Sequence, residues 1–306
     1  MNIAEAVILG LVEGITEYLP VSSTGHLIIA SSLLGLKGEE HKGAIDAFEI
    51  VVQGGAILAV MGLYWPRFVQ MLRGMLGLDP AGLRLLLNIV IAFLPAAVIG
   101  VMIHSWIKAH LFFAGPVVAA MIVGGVYMLV VDEWRKGRFG GGRFHSAGKG
   151  VDDLTFIDAL KIGSLQVLSM WPGTSRSMMT ITGGMFCGLR PSAAAEFSFL
   201  LGMPTLLAAT LKELYSNYKD HRDLGEPMFY EVLGGVPVLV GLLVAAVSAA
   251  FAVKWLVGFL NRHGLAPFGW YRVIVGLALA GLIVGGVVTI KPERAAERTV
   301  MGGSSK

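Results

Sequence analysis

Two glutamates, Glu13 and Glu17, stand at helical i, i+4 spacing in an apolar segment near the start of the chain. On one helix face, two such like charges either share a proton or hold a cation between them. The polar residues that follow are Ser22, Ser23, Thr24 and His26. Carboxylates suit Mg²⁺ or Ca²⁺, hydroxyls bind phosphate or act as nucleophiles, and histidine transfers protons near neutral pH. The segment therefore predicts phosphoryl chemistry, although a water-filled vestibule with hydroxyl helix caps would also account for it.

A second polar run combines a Pro-Gly break, Pro172-Gly173, with an arginine and several hydroxyls. Its members are Thr174, Ser175, Arg176, Ser177 and Thr180. Backbone N–H groups at the start of a helix attract an anion, and the planar guanidinium of Arg176 matches phosphate oxygens. Either Arg176 pairs with Glu13 or Glu17 across the two segments, or it binds a phosphate while the carboxylates bind a metal. At this point both interpretations are open.

Together the two runs predict one site for transfer of a phosphoryl group to water. In that site Glu13 and Glu17 would hold a divalent cation, Mg²⁺ or Ca²⁺, and His26 would act as acid or base. Ser23 is the candidate nucleophile or a further phosphate ligand. The other groups expected at the phosphates are Ser22, Thr24, Thr174, Ser175, Arg176, Ser177 and Thr180. Because the site falls inside apolar segments, its substrate should carry a lipid tail.

The composition is that of a membrane protein. Hydrophobic residues make up 55% of the 306 residues and charged residues 15%, against about 25% charged in soluble domains. Six stretches approach the length of about 20 apolar residues that crosses a bilayer. They are 45–65, 83–103, 112–131, 193–211, 232–259 and 268–290. The single cysteine, Cys187, excludes an intramolecular disulfide, and no basic, aromatic-rich surface indicates nucleic acid.

The segments that carry the two polar runs, 3–36 and 156–189, are apolar but interrupted. Each half is about a dozen residues, too short to cross, which is typical of a re-entrant helical hairpin. Aligning Pro20 with Pro172 superimposes Ser22 and Ser23 on Thr174 and Ser175, so the segments look like copies. Three spans follow each copy. Because three is odd, the copies should have opposite orientations in the membrane, with a site at the midplane.

We therefore expect an all-α polytopic membrane protein with an inverted-topology repeat, each half a re-entrant helical hairpin plus three transmembrane helices. Residues 1–290 would form a single membrane domain, with repeat one at 1–132, repeat two at 154–290 and a basic cytoplasmic loop at 133–153. Residues 291–306 are predicted to be a disordered polar tail. Loop cations, among them Arg67, Arg135, Arg262 and Arg272, indicate the cytoplasmic side. The site should then open to the extracytoplasmic side.

At these residues the chain closely resembles the bacterial undecaprenyl-pyrophosphate phosphatases, the bacitracin-resistance family. The family motif E-G-x-T-E-F-L-P-V-S-S-T-G-H is matched at 13–26, with Tyr18 in place of Phe. The motif P-G-x-S-R-S-x-x-T is matched at 172–180, and a weaker match covers 197–201. The resemblance covers about residues 1–290. Met178 and Met179 depart from it, since the family commonly has Gly-Ala there.

What the resemblance implies is a metal-dependent hydrolase of the bacterial cytoplasmic (inner) membrane. It would convert undecaprenyl pyrophosphate to the monophosphate carrier used in cell-wall synthesis, and so confer bacitracin resistance. The catalytic set that the resemblance implies is Glu13, Glu17, Ser23, His26 and Arg176, with Ser175 and Thr180 among the phosphate-binding residues. A rival assignment makes His26 the nucleophile, with a phosphohistidine intermediate.

A lipid-phosphate or anion transporter is the competing interpretation, because inverted repeats with broken helices also build transporters. Arg176 would then bind the substrate, and the glutamates would bind a coupling ion or proton. The serines and the histidine beside the carboxylates favour the enzyme. The expected partners are a polyprenyl pyrophosphate, membrane lipids and a second copy of the chain in a homodimer, with no nucleic acid.

Overall fold

The computed structural model describes residues 1–36, 42–111, 113–138 and 148–288, and every long element in these ranges is a helix. The helices are α1 (Ile3–Thr16), α2 (Ser23–Leu33), α3 (Lys42–Val51), α4 (Gln53–Leu63), α5 (Trp65–Met75), α6 (Pro80–Leu111), α7 (Ala114–Arg135), α8 (Phe156–Gln166), α9 (Arg176–Phe186), α10 (Pro191–Leu224), α11 (Phe229–Leu233), α12 (Gly235–His263) and α13 (Ala266–Val284). The predicted tail 291–306 and the centre of the predicted loop 133–153 lie outside the described residues.

Six helical stretches in the described ranges are long and apolar enough to span a membrane. They are Gly43–Leu63, Pro80–Ile103, Ala114–Arg135, Pro191–Leu224, Gly235–His263 and Ala266–Val284. Each overlaps one predicted span, which confirms the all-α polytopic fold. The amphipathic helix α5 has no counterpart among the predicted spans and packs against α6.

The two interrupted segments form pairs of short helices, as predicted. Helix α1 has 14 residues, and α2, α8 and α9 have 11 each, whereas a span takes about 20. Between α1 and α2 the chain passes through Pro20, which has no N–H to donate to a helix. Between α8 and α9 it passes through a 3₁₀ turn, Val167–Met170, and then Pro172. Below, these two interruptions are called the first and the second break.

The two halves of the chain correspond at one constant offset in sequence. The matching residues are Asn2 and Thr155, the N-caps of α1 and α8; Ser22 and Ser175, the N-caps of α2 and α9; and Gly35 and Gly188, which have positive φ after α2 and α9. Asn2 and Thr155 each form a capping box with the acidic residue three positions later. The backbone of the second hairpin therefore repeats that of the first.

The predicted alignment of Pro20 with Pro172 was wrong by one residue. At the constant offset Pro20 corresponds to Gly173, and Ser23 corresponds to Arg176. The error arose because a proline can stand at neighbouring positions of a break, whereas the strained N-cap conformation occurs at one position only. The opposite orientation of the two copies in the membrane stays a prediction.

Each hairpin packs against a span of the other copy. Helix α1 lies along α12, and α8 lies along α6. The contacts are close, since a Cβ on Gly10 would lie 2.5 Å from the carbonyl oxygen of Gly241, and one on Gly163 would lie 2.2 Å from that of Ala92. Helices α7 and α13 also pack together. Because each half of the chain packs against the other in this way, both breaks lie within one core.

Arg272 does not lie where the orientation argument put it, among the cytoplasmic loop cations. Its side chain is fully buried in α13. By contrast Arg262, from the same group, is exposed in the last turn of α12. The orientation argument counts every lysine and arginine near the end of a span as a loop residue. It therefore cannot recognise an arginine, such as Arg272, whose side chain points into the core.

Candidate active site

Both breaks end at a serine whose backbone adopts a conformation that is rare for L-residues. Ser22 (φ 73°, ψ 96°) and Ser175 (φ 79°, ψ 117°) are the non-glycine residues with positive φ in the described part of the chain. Their Oγ atoms accept hydrogen bonds from the N–H groups of Gly25 at 3.5 Å and Met178 at 3.3 Å. Strain of this kind costs about 1–3 kcal/mol and concentrates at ligand sites. Its presence at both breaks marks them as the candidate functional region.

Glu17 connects the two breaks. Its Oε2 accepts a 2.6 Å hydrogen bond from the Ser23 hydroxyl, and its Oε1 accepts a 3.0 Å hydrogen bond from Nη2 of Arg176. The predicted pairing of Arg176 with a glutamate of the first segment is thus present, with Glu17 as the partner. The side chain of Glu17 is 7% exposed and that of Arg176 is 9% exposed. Because an isolated buried charge is costly, each stabilises the other.

The guanidinium of Arg176 is also held by contacts with Tyr18 and helix α10. Its Nη1 donates to the carbonyl oxygen of Ser198 at 2.9 Å. Its Cζ lies 5.3 Å from the ring centre of Tyr18, within the range of a cation–π contact. A Cβ on Gly202 would lie 2.4 Å from Nη1, so a larger residue there would displace the guanidinium. Ser198 and Gly202 are successive turns of α10, in and beside the weak third motif match.

Polar groups without hydrogen-bond partners remain beside this ion pair. Both carboxylate oxygens of Glu13 are buried and have no partner, and the same holds for Nε of Arg176. Glu13 interacts electrostatically with Glu17, Glu49 and Arg176, and it lies close enough to Glu17 for the two carboxyl groups to share a proton. Such unsatisfied buried groups are rare in folded proteins and call for an explanation such as a bound ion.

A divalent cation would find two carboxylates here rather than a complete cage of protein ligands. No group of three or more His, Cys, Asp or Glu side chains that could hold a metal occurs among the described residues. Mg²⁺ commonly binds one or two carboxylates and completes its shell with phosphate oxygens and water. Glu13, with its two free oxygens, and Glu17 therefore suit such an ion when a phosphate is bound.

His26 lies at the same break but faces α13. Its Nδ1 is 2.7 Å from the carbonyl oxygen of Ser22, to which it donates, and its Nε2 is 2.8 Å from the hydroxyl of Tyr271. The two rings are parallel, with centres 5.5 Å apart. Both ring nitrogens are thereby occupied within the protein. Tyr271 was not among the predicted site residues, although a tyrosine and an arginine side by side in an apolar span indicate a polar site.

The remaining predicted phosphate ligands divide into two groups. Thr24 and Ser175 are half-buried at the starts of α2 and α9. Ser177 and Thr180 are fully buried, with hydroxyls bonded to the Leu19 carbonyl at 2.7 Å and the Ser198 hydroxyl at 2.6 Å. Thr174 is buried in the second break.

Met178 and Met179, which depart from the family pattern, are buried in the core. The methyl carbon of Met178 points at α7, where a Cβ on Gly124 would lie 3.1 Å from it. Helix α9 thus directs the larger Met178 side chain against a glycine of a neighbouring helix.

Comparison with known proteins identifies the family. The family model described as bacitracin resistance protein BacA matches residues 6–278, which include both breaks. The chain belongs to the BacA family. Undecaprenyl-diphosphatase from Sorangium cellulosum is 47% identical to it, over 89% of this chain and 83% of that protein. Undecaprenyl-diphosphatase 2 from Rhodospirillum rubrum is 45% identical, over 93% and 96% respectively. Undecaprenyl-diphosphatase from Cereibacter sphaeroides is 43% identical, over 92% and 97%.

We expect Ser175→Gly to leave this BacA-family protein as stable as the parent or more stable, because glycine adopts φ 79° without strain. Thr155 is a matched control, since it caps α8 with an ordinary φ of −87°. There, replacement by glycine should destabilise by a few tenths of a kcal/mol. Thermal unfolding in detergent, followed by circular dichroism, measures both. If Ser175→Gly lost more stability than Thr155→Gly, the backbone strain at Ser175 would be refuted.

Proposed function

We propose that the chain hydrolyses undecaprenyl pyrophosphate to undecaprenyl phosphate and inorganic phosphate within the membrane. The observation that carries the proposal is the Glu17 carboxylate, shared between the Ser23 hydroxyl and the Arg176 guanidinium. This arrangement unites a nucleophile, a proton acceptor and an anion-binding group at two helix starts. The names of the relatives support the same reaction and substrate. The reaction returns the lipid carrier to cell-wall synthesis.

Arg176 and the first N–H groups of α9 bind the terminal phosphate. An arginine and a helix N-terminus both favour an anion with several oxygens. The unpartnered Nε of Arg176 provides a donor that no protein group uses. The start of α2 supplies further N–H groups for the second phosphate, next to Ser22 and Thr24. Ser177 and Thr180 stabilise the structure around the phosphate site, because their hydroxyls bond to protein groups.

Ser23 is the nucleophile and Glu17 is its base. The 2.6 Å hydrogen bond to Glu17 Oε2 is ready to carry the Ser23 proton to the carboxylate. A bond forms between Ser23 Oγ and the terminal phosphorus. The bond from that phosphorus to the bridging oxygen breaks, and undecaprenyl phosphate leaves with the electron pair. Water then attacks the phosphoserine phosphorus, and the bond from that phosphorus to Ser23 Oγ breaks. Inorganic phosphate leaves with the oxygen and protons of the water, and Ser23 Oγ takes back the proton held by Glu17.

The geometry favours Ser23 over His26 as the nucleophile. His26 would have to give up the hydroxyl of Tyr271 before its Nε2 could attack phosphorus. Its bond to the Ser22 carbonyl instead fixes the ring beside the first break. An acid or base role of His26 would therefore pass through the Tyr271 hydroxyl that is bonded to its Nε2.

Glu13 and Glu17 hold a divalent cation, Mg²⁺ or Ca²⁺. A cation supplies positive charge that stabilises the phosphate oxygens as the bond breaks. The buried oxygens of Glu13, which lack hydrogen-bond partners, support this assignment.

A transporter of lipid phosphates or anions has less support. Transport would use Arg176 and the glutamates, but not a serine hydroxyl bonded to a carboxylate. The names of the relatives also describe a phosphatase.

We expect Ser23→Ala and Arg176→Ala each to lower phosphate release from undecaprenyl or farnesyl pyrophosphate by at least about 100-fold, since each removes a nucleophile or a charge-stabilising group. Glu17→Gln should cost about 10²–10⁴-fold by removing the base. Phosphate release by purified protein in detergent measures these rates.

Two variants on exposed or non-site groups serve as controls for these rates. Ser31→Ala removes a hydroxyl of α2 that bonds to the Leu27 carbonyl, and Arg262→Ala removes an exposed arginine. Both should keep activity within about threefold of the parent, as surface and non-site changes usually do.

Labelled phosphate trapped on the parent and on His26→Ala, but not on Ser23→Ala, would identify the serine. The reverse pattern would assign the nucleophile to His26.

We expect Mg²⁺ added together with inorganic phosphate to raise the thermal midpoint of the parent but not that of Glu13→Gln. A ligand at about 100 times its Kd adds about 2.7 kcal/mol to the stability of the folded state. Glu231→Gln, which changes an acidic residue of α11, is the control and should keep the shift. An equal shift in Glu13→Gln would place the cation elsewhere.

We also place the chain in a bacterial cytoplasmic membrane, with the site open to the extracytoplasmic side. A membrane-impermeant thiol reagent tests this in intact cells, with Cys187→Ser as the background. Glu226→Cys, between α10 and α11, should react at once. Leu78→Cys, between α5 and α6, should react only after permeabilisation. The opposite pattern would reverse the orientation.

A further inference from the structure

Arg272 is a fully buried arginine whose described hydrogen bonds all go to backbone carbonyls. Nη2 donates to Gly173 at 2.7 Å and to Ala120 at 2.9 Å, Nε donates to Met121 at 3.3 Å, and Nη1 donates to Pro20 at 3.4 Å. A buried arginine without a carboxylate is expensive. In membrane segments, an ionisable residue of this kind indicates function by default.

Two of these carbonyls occupy equivalent positions in the two breaks. Pro20 and Gly173 correspond at the constant offset, and each lies two residues before the strained serine of its own break. Carbonyl groups at a broken helix inside lipid have no water to bond, so a protein donor must satisfy them. Arg272 does so for both copies at once, from α13, and ties them to α7 through Ala120 and Met121.

The groups of the proposed reaction lie three residues along the chain from these two anchor points. Pro20 stands between Glu17 and Ser23, and Gly173 stands just before Arg176. The separation of the two carbonyls therefore helps to set the distance between the Ser23 hydroxyl and a phosphate held by Arg176. Helix α7 leaves space for the guanidinium, since a Cβ on Gly124 would lie 2.4 Å from its Nη2.

We propose that Arg272 is a positioning residue that holds the two breaks at a fixed separation and so aligns Ser23 with the bound phosphate. It touches neither substrate nor reacting atoms. The inference rests on the proposed hydrolase function for its kinetic consequence, and on the structure alone for the link between the breaks.

The kinetic test compares Arg272→Met with the parent, per folded protein. A misplacement of about 1 Å can cost about 100-fold in rate, so kcat should fall by about that factor. KM should stay within about threefold, because Arg176 and the start of α9 still bind the phosphate. Arg272→Lys should recover part of kcat, since an ammonium keeps the charge but cannot reach all four carbonyls with its three donors.

Gly124→Ala tests the same link without removing Arg272, and serves if Arg272→Met fails to fold. Its Cβ would displace the guanidinium of Arg272. We expect kcat to fall about tenfold, which is a smaller effect than loss of the whole side chain. The matched control is Gly281→Ala, on α13 with Arg272, where a Cβ has no neighbour within 4 Å. Gly281→Ala should keep the parental kcat.

Hydrogen–deuterium exchange supplies a readout that is independent of activity. Peptides that cover 17–25 and 171–178 should both exchange faster in Arg272→Met and Gly124→Ala, and in Gly281→Ala neither should change. Parental kcat in Gly124→Ala and Arg272→Lys, or faster exchange at one break alone, overturns the inference. If the parent itself releases no phosphate, the proposed function fails, and the exchange data then decide whether Arg272 links the breaks.

Discussion

Backbone groups at a helix end inside a bilayer have no water to bond, and each one left unsatisfied costs several kcal/mol. Two broken helices at the centre of the protein meet this constraint with internal partners. Ser22 and Ser175 cap the N–H groups of the following helices, and Arg272 satisfies carbonyls of both breaks. The first N–H groups that remain at α2 and α9 are those a phosphate can use. The anion site that we propose is thus a consequence of breaking helices in lipid.

Charge compensation shapes the same region. Without a ligand, Glu17 and Arg176 neutralise each other at 3.0 Å. In the proposed reaction the pyrophosphate would give Arg176 an anionic partner, and a divalent cation held by Glu13 and Glu17 would give the glutamates a cationic one. Neither side chain is left as an isolated buried charge, which would be the expensive state. Glu13, whose oxygens lack hydrogen-bond partners, is the group with most to gain from the cation.

The two interrupted segments share their helix caps and the positions of their strained serines but differ in chemistry. Ser23 in the first copy corresponds to Arg176 in the second, and Glu13 corresponds to Gln166. Both Glu13 and Gln166 are fully buried with side-chain polar atoms that have no partner. The first segment therefore carries the proposed nucleophile and the carboxylates, and the second carries Arg176, the proposed phosphate-binding group. Segments with matching caps thus contribute different chemistry to one candidate site.

Local features of the sequence alone determined the six spans and both breaks, and they named Glu17, Ser23 and Arg176 as candidate site residues, which the structure brings into contact. Apolar length, prolines and polar runs act over a few neighbouring positions, so they can be recognised without knowing the fold. Only the tertiary structure decided which contacts these residues make. The distant partners are Ser198, Gly202, Tyr271 and Arg272. The register of the repeat also needed the backbone, because a proline marks a break without fixing which residue adopts positive φ. Contacts between helices far apart in sequence depend on how the helices pack, and no local pattern encodes that packing.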